Sequence, residues 1–155
     1  MSYAEGTSVS PEKSRMEIEQ TLSRYGATSF AYMSDQKRAC VGFQVKGRTI
    51  RIIIAKPDGT TLQRTGKQRW GYPSEKQRAD WVESETRRRW RSLLLVIKAK
   101  LEAVESKIAT FDDEFMAYVV MPNGQTMGEW MHPQIEEAIK NGQMPQLALG
   151  SGDRK

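Results

Sequence analysis

The sequence predicts an α+β domain: an N-terminal helix, a three-stranded antiparallel meander packed on one long helix, then a strand and a C-terminal helical pair. Three observations carry this. Apolar residues alternate with period two over residues 30–54, as in a sheet buried on one face. They recur with the helical period over residues 78–108. Capping and turn residues fall between these stretches rather than inside them. At 155 residues the chain is sized for a single domain over 1–155. The small, polar, glycine-bearing ends, 1–9 and 148–155, are expected to be frayed, disordered tails.

The first helix is expected over residues 10–25, with Ser10 as its cap, Pro11 at the first helical position and Glu12 in the positive first turn. Ile18, Leu22 and Tyr25 make one apolar face, and Gly26 supplies the left-handed stop. In the meander, a two-residue turn at Lys46-Gly47 sets Val45 opposite Arg48, Phe43 opposite Ile50, Val41 opposite Ile52 and Ala39 opposite Ile54. A turn at Asp35-Gln36 would set Tyr32 opposite Ala39 and Phe30 opposite Val41. Both turns put Phe30, Tyr32, Val41, Phe43, Val45, Ile50, Ile52 and Ile54 on the buried face.

Residues 56–73 form a long basic loop without helical or strand period. The long helix opens at Ser74, where Gln77 completes a capping box, and runs to about Lys107. Trp90, Leu93, Leu94, Ile97, Leu101, Val104 and Ile108 fall on one stripe, the natural cover for the meander's apolar face. Leu95 and Val96 lie off that stripe, which suggests other elements or a second copy of the chain against the middle of the helix. "FMAYVVM" (115–121) is β-branched and aromatic and reads as a strand. Thr126 and Glu129 then open a last helix, with a kink or a break expected at Pro133, beside His132.

Charge is segregated along the chain. The whole sequence carries a net charge of +5, but Lys37–Lys100 holds 17 Lys/Arg against 5 Asp/Glu and the remainder 7 against 14. Such asymmetry points to an electrostatic face and a polyanionic partner. Arg87, Arg91 and Lys98 share one flank of the long helix with Arg88 beside them, whereas Arg78, Arg89 and Lys100 occupy the other. Glu83–Arg87 and Glu85–Arg89 are i,i+4 pairs, so two of these arginines also have a purely structural explanation. The adjacent loop adds Arg64, Lys67 and Arg69 before Trp70 and Tyr72, with no acidic residue from Thr60 to Ser74. Cations interleaved with aromatics suit phosphate contacts plus base stacking. The expected nucleic-acid-binding residues are therefore Arg64, Lys67, Arg69, Trp70, Arg87, Arg88, Arg91 and Lys98.

Signals for catalysis are sparse. One histidine (His132) and one cysteine (Cys40) leave no zinc site built from those ligands, no Cys-His pair and no internal disulfide. "GTTLQRTGKQ" is too widely spaced for a phosphate loop, and Gln68 stands where the Ser/Thr for Mg²⁺ belongs. Asp112, Asp113 and Glu114 are consecutive, and consecutive carboxylates rarely converge on one ion. No catalytic residue, metal or cofactor is expected. No stretch reads as a signal peptide or a membrane span, so the expected location is the cytoplasm.

Three segments, "SVSPEKSRMEIEQTLSRYGA", "RRRWRSLLLVIKAKLEAVESKIATFDDEF" and "PNGQTMGEWMHPQIEEA", resemble a group of small conserved hypothetical proteins of tailed phages, prophages and mobile elements. The likeness implies a phage setting, and no reaction or site residue comes with it. The resulting expectation is a non-catalytic phage accessory protein that binds nucleic acid, with possible self-association through the long helix. Two alternatives stand beside it: an inhibitor that docks on a host or defence protein through an adaptable methionine-rich surface, and a nucleic-acid or nucleotide-processing enzyme.

Overall fold

The computed structural model describes residues 4–65 and 73–144, with backbone only for 63–65. The N-terminal helix α1 spans Pro11–Arg24; Ser10 Oγ accepts from the Lys13 amide, and Gly26 follows at φ +87°. Three antiparallel strands come next, β1 (Ser29–Ser34), β2 (Arg38–Val45) and β3 (Arg48–Ala55), side by side in that order. The short helix α2 (Thr60–Thr65) lies within the stretch expected to be loop. The long helix α3 runs Glu75–Glu105, with the Ser74–Gln77 capping box formed in both directions. A short helix α4 (Phe111–Phe115), a 3-10 turn (Met116–Tyr118) and helix α5 (Met127–Asn141) complete the order.

The β2–β3 register is the one the Lys46-Gly47 turn dictates: Val45 faces Arg48, Phe43 Ile50, Val41 Ile52 and Ala39 Ile54. Both turn residues have positive φ, as a two-residue hairpin turn of this type requires. The first hairpin differs. Tyr32 faces Val41 and Phe30 faces Phe43, a slip of two residues from the expected pairing. The cause is Asp35, whose Oδ1 accepts from the Lys37 and Arg38 amides at 2.7 and 2.6 Å, while its own N–H bonds Arg38 O. Asp35 thereby closes the ladder, and Gln36-Lys37 becomes the turn. A slip of two leaves every side chain on its expected face.

That face, with α1 and α3, makes the core. Ile18 and Leu22 of α1, Val41, Phe43, Ile50 and Ile52 of the sheet, and Trp90, Leu93, Leu94, Ile97 and Leu101 of α3 form one buried cluster. Phe111 and Phe115 close its end, stacked at 4.6 Å, with Phe115 edge-on to Phe43 at 6.2 Å.

Three further expectations are corrected. Residues 115–121 are not a strand. The Thr110–Asp113 capping box starts α4, so Phe111 and Phe115 stack one turn apart, and only Val119 and Val120 make isolated bridges, to Ile50 and Thr126. The last helix runs through Pro133 as one element, not two. The N-terminal segment from Ala4 is not a frayed tail: Ala4 is buried, and a turn closes from the Thr7 amide to Ala4 O. Residues 148–155 lie outside the described residues. No helix of the described residues is long and apolar enough to cross a membrane.

Candidate nucleic-acid interface

The basic stretch sits on α3, and its placement follows from where that helix is anchored. Trp90 is the first buried residue of α3, so its first four turns lie beyond the packed core. Arginines suit such a segment, because their stems lie along apolar surface while the guanidinium stays wet. Most of these arginines are ion-paired. Arg87 bonds Glu83, and Arg91 reaches Glu17 of α1 at 2.9 Å with both side chains about three-quarters buried. Arg88 donates through Nε to Glu85 at 2.7 Å, and Arg89 Nε reaches the same carboxylate at 3.1 Å. Lys98 is exposed and makes no ion pair among the described residues.

Glu85 thus serves two guanidinium groups. The hydrogen bond from Arg88 is the main reason its carboxyl is held below the usual glutamate range; burial opposes this, and Arg89 adds to it. Arg89 turns its other arm toward the sheet, where Nη1 donates to Ala55 O.

This bond leads to a second group of cations at the open end of the sheet, where β1 and β3 finish. Lys56, just past β3, donates from Nζ to Asp35 O at 2.5 Å and from its amide to Lys37 O at 2.7 Å. Arg15 of α1 places its guanidinium 5.3 Å from the Trp90 ring, while its own backbone O accepts from Tyr32 Oη at 3.1 Å. On α3, Arg78 lies against Gly59, whose α-carbon approaches the Arg78 and Val82 side chains closely enough that a Cβ would be 3.5 Å from each. Lys37, Lys56 and Arg78 make no ion pair with a carboxylate among the described residues. Cationic charge here exceeds its carboxylate partners.

Elsewhere three ion pairs tie separate elements together. Arg48 pairs with Asp112 at 2.6 Å, Arg51 with Glu129 at 2.8 Å and Lys100 with Glu114 at 3.0 Å. These pairs also account for the acidic run at 112–114: Asp112 and Glu114 neutralise cations, and Asp113 caps α4. No group of three or more metal-ligating side chains occurs among the described residues.

Of the residues expected to form the interface, Arg87, Arg88 and Arg91 lie along α3 with the partners given above, and Lys98 lies there without an ion pair among the described residues. Arg64 has its backbone in α2, which packs on α3. Lys67, Arg69 and Trp70 lie outside the described residues. Sequence reasoning passed over Arg15, Lys37, Lys56 and Arg89. Arg15 carried a readable signal: it stands three residues before Ile18 and seven before Leu22, a cation on the apolar face of α1.

No protein-family model, curated protein or solved structure matches the chain.

Proposed function

We propose that this chain is a non-catalytic nucleic-acid-binding protein that grips backbone phosphates with the cations at the open end of its sheet. Arg15, Lys37, Lys56, Arg78 and Arg89 make the centre of the interface. Arg64, Lys67, Arg69 and Trp70, which follow Lys56 along the chain, are further contacts in this reading. The observation that carries the reading is convergence: Arg15, Lys56 and Arg89, from α1, the end of β3 and α3, border one cleft, and Lys37, Lys56 and Arg78 make no ion pair with a carboxylate among the described residues. Unneutralised cations release counterions from a polyanion without first giving up a protein partner. Arg87, Arg88 and Arg91 must leave a carboxylate to do so, as must Arg15 and Arg89, so Lys37, Lys56 and Arg78 contribute most; Lys98 is available on the far flank. Contacts of this kind read the backbone rather than the base sequence. The resemblance to phage proteins supplies the setting, an accessory protein in the cytoplasm of a host cell.

The test is fluorescence anisotropy with labelled single- and double-stranded DNA over a salt series. Five phosphate contacts predict a slope of about −3.5 in log K against log salt on a single strand. Lys56→Glu with Arg78→Glu should flatten that slope more than Arg87→Glu with Arg91→Glu. Equal losses from both pairs, or no binding at low salt, would defeat the reading.

A second reading, docking on a host or defence protein, is favoured by α5. Its apolar side chains Trp130, Ile135 and Ile139 are 39%, 44% and 79% exposed, and Gly128 is its one buried residue. Val96, 46% exposed at the middle of α3, supports self-association through that helix. Loss of a partner's capture on Ile135→Glu, in a protein that does not bind DNA, would favour this reading.

A further inference from the structure

At the centre of the basic end is a cleft of about 250 Å³, walled by the start of α1, the ends of the strands and the middle of α3. Its floor is apolar and aromatic, with Trp90, Tyr32 and Ile54; its rim carries Arg15, Lys56 and Arg89. Trp90 is only 7% exposed and lies under the Arg15 guanidinium, so the accessible apolar surface of the floor comes from the partly buried Tyr32 and Ile54. The rim cations converge from three separate elements, and they are held by neutral groups as much as by charged ones. Lys56 Nζ and Arg89 Nη1 both donate to backbone carbonyls, of Asp35 and Ala55. Arg15 pairs with Glu12 at 2.9 Å, a carboxylate that also borders the cleft and is 71% exposed. Three cations face Glu12, a share of Glu85 and a share of Asp35, which also pairs with Arg38, and this leaves a small net positive charge over the aromatic floor.

We propose that this cleft is a binding site for a phosphate monoester: the dianionic phosphoryl group lies between Lys56, Arg89 and Arg15, and the attached nucleoside lies on the apolar floor. A monoester differs from the diesters of a strand interior in carrying a second negative charge, which a three-cation rim rewards and a single cation does not. The volume sits just under the range of about 300–1,000 Å³ usual for small-molecule sites, which limits the occupant to something no larger than one nucleotide. Two sources present this chemistry: the phosphorylated end of a strand and a free mononucleotide. The strand-end source rests on the nucleic-acid reading above, whereas the free nucleotide does not.

The experiment compares a 12-residue single strand, labelled at its 3′ end, with a 5′-phosphate or a 5′-hydroxyl, and titrates AMP and adenosine by calorimetry. A phosphorylated end should bind about tenfold more tightly than the hydroxyl end, a preference of about 1.4 kcal/mol, and Lys56→Ala and Arg15→Gln should each reduce it. Lys56 is exposed and touches only a backbone carbonyl, so its variant folds even if Arg89→Ala does not. If both oligonucleotides bind equally and AMP binds no better than adenosine, the cleft proposal is overturned and the nucleic-acid reading stands. If AMP binds and neither oligonucleotide does, the site stands with a free nucleotide as its ligand and the nucleic-acid reading falls. If nothing binds, both fail.

Discussion

A Cβ built on Gly128 would lie 2.8 Å from the carbonyl oxygen of Ala117, closer than real Cβ atoms approach backbone. Gly128 is the one buried residue of α5, so this contact sets how closely the helix approaches the preceding 3-10 turn. Gly42, in the middle of β2, is different: a Cβ there would meet Ala31 Cβ at 3.6 Å, an ordinary contact. Chemical denaturation should therefore find Gly128→Ala destabilised by about 1–3 kcal/mol, through overpacking. Gly42→Ala should gain about 0.4–1 kcal/mol, because alanine narrows the unfolded ensemble without straining the fold. Equal losses at the two positions would show that α5 does not rest on Ala117. Neither position was legible in the sequence, where a glycine in a helical or strand pattern signals a close approach without naming the neighbour.

Individual contacts of this kind act through the elements that hold them. Thr126, 6% exposed, accepts from the Glu129 amide, and Glu129 returns a bond to the Thr126 N–H while pairing with Arg51 of β3. Thr126→Ala should cost about 1–2 kcal/mol, at the upper end for helix caps, because it also loosens the bridge to the sheet. The acid limb of stability belongs to this scale too. The carboxyls of Glu85 and Glu129 are both held below the ordinary glutamate value of 4.5, by the hydrogen bond from Arg88 in the first case and by the Thr126 amide in the second. A carboxyl with a lowered folded value contributes stability that is complete above the unfolded value and lost as the pH falls through the folded one. Unfolding measured from pH 7 down to pH values below 4.5 should show Glu85→Gln weaker than the parent at neutral pH and converging on it in acid. A constant gap would mean that Glu85 is not paired as described. Most elements were legible because their signals are local: Ser10-Pro11, Lys46-Gly47 and Ser74 with Gln77 each fix a boundary by short-range bonds. Two of the departures have tertiary or side-chain causes. Asp35 moves a turn by one residue through its carboxylate, and a capping box plus the Phe111–Phe115 stack turns a strand-like string into helix. Propensity is the weaker influence when a buried aromatic pair is at stake.

Across the whole molecule, the charge segregation read from the sequence is real in composition and altered by folding. Glu17 from the acidic N-terminal part neutralises Arg91, and Asp112, Glu114 and Glu129 from the acidic C-terminal part neutralise Arg48, Lys100 and Arg51. Arg15, Lys37, Lys56, Arg78 and Arg89 gather at the open end of the sheet, where β3 leaves for α2, while other cations without an ion pair, such as Lys13, Lys46 and Lys98, are spread over the rest of the described fold. Chain position could show that the middle of the sequence is basic; it could not show which cations would find carboxylates, since those partners lie 14 to 78 residues away in sequence. The measurement that addresses this most directly is amide chemical-shift mapping on the ¹⁵N-labelled chain as a 5′-phosphorylated single strand is added at low salt. The account predicts shifts concentrated at Arg15, Lys37, Lys56, Arg78 and Arg89, fading as salt is raised. Shifts confined to α5 or to the Arg87–Arg91–Lys98 flank, with the open end of the sheet silent, would contradict it.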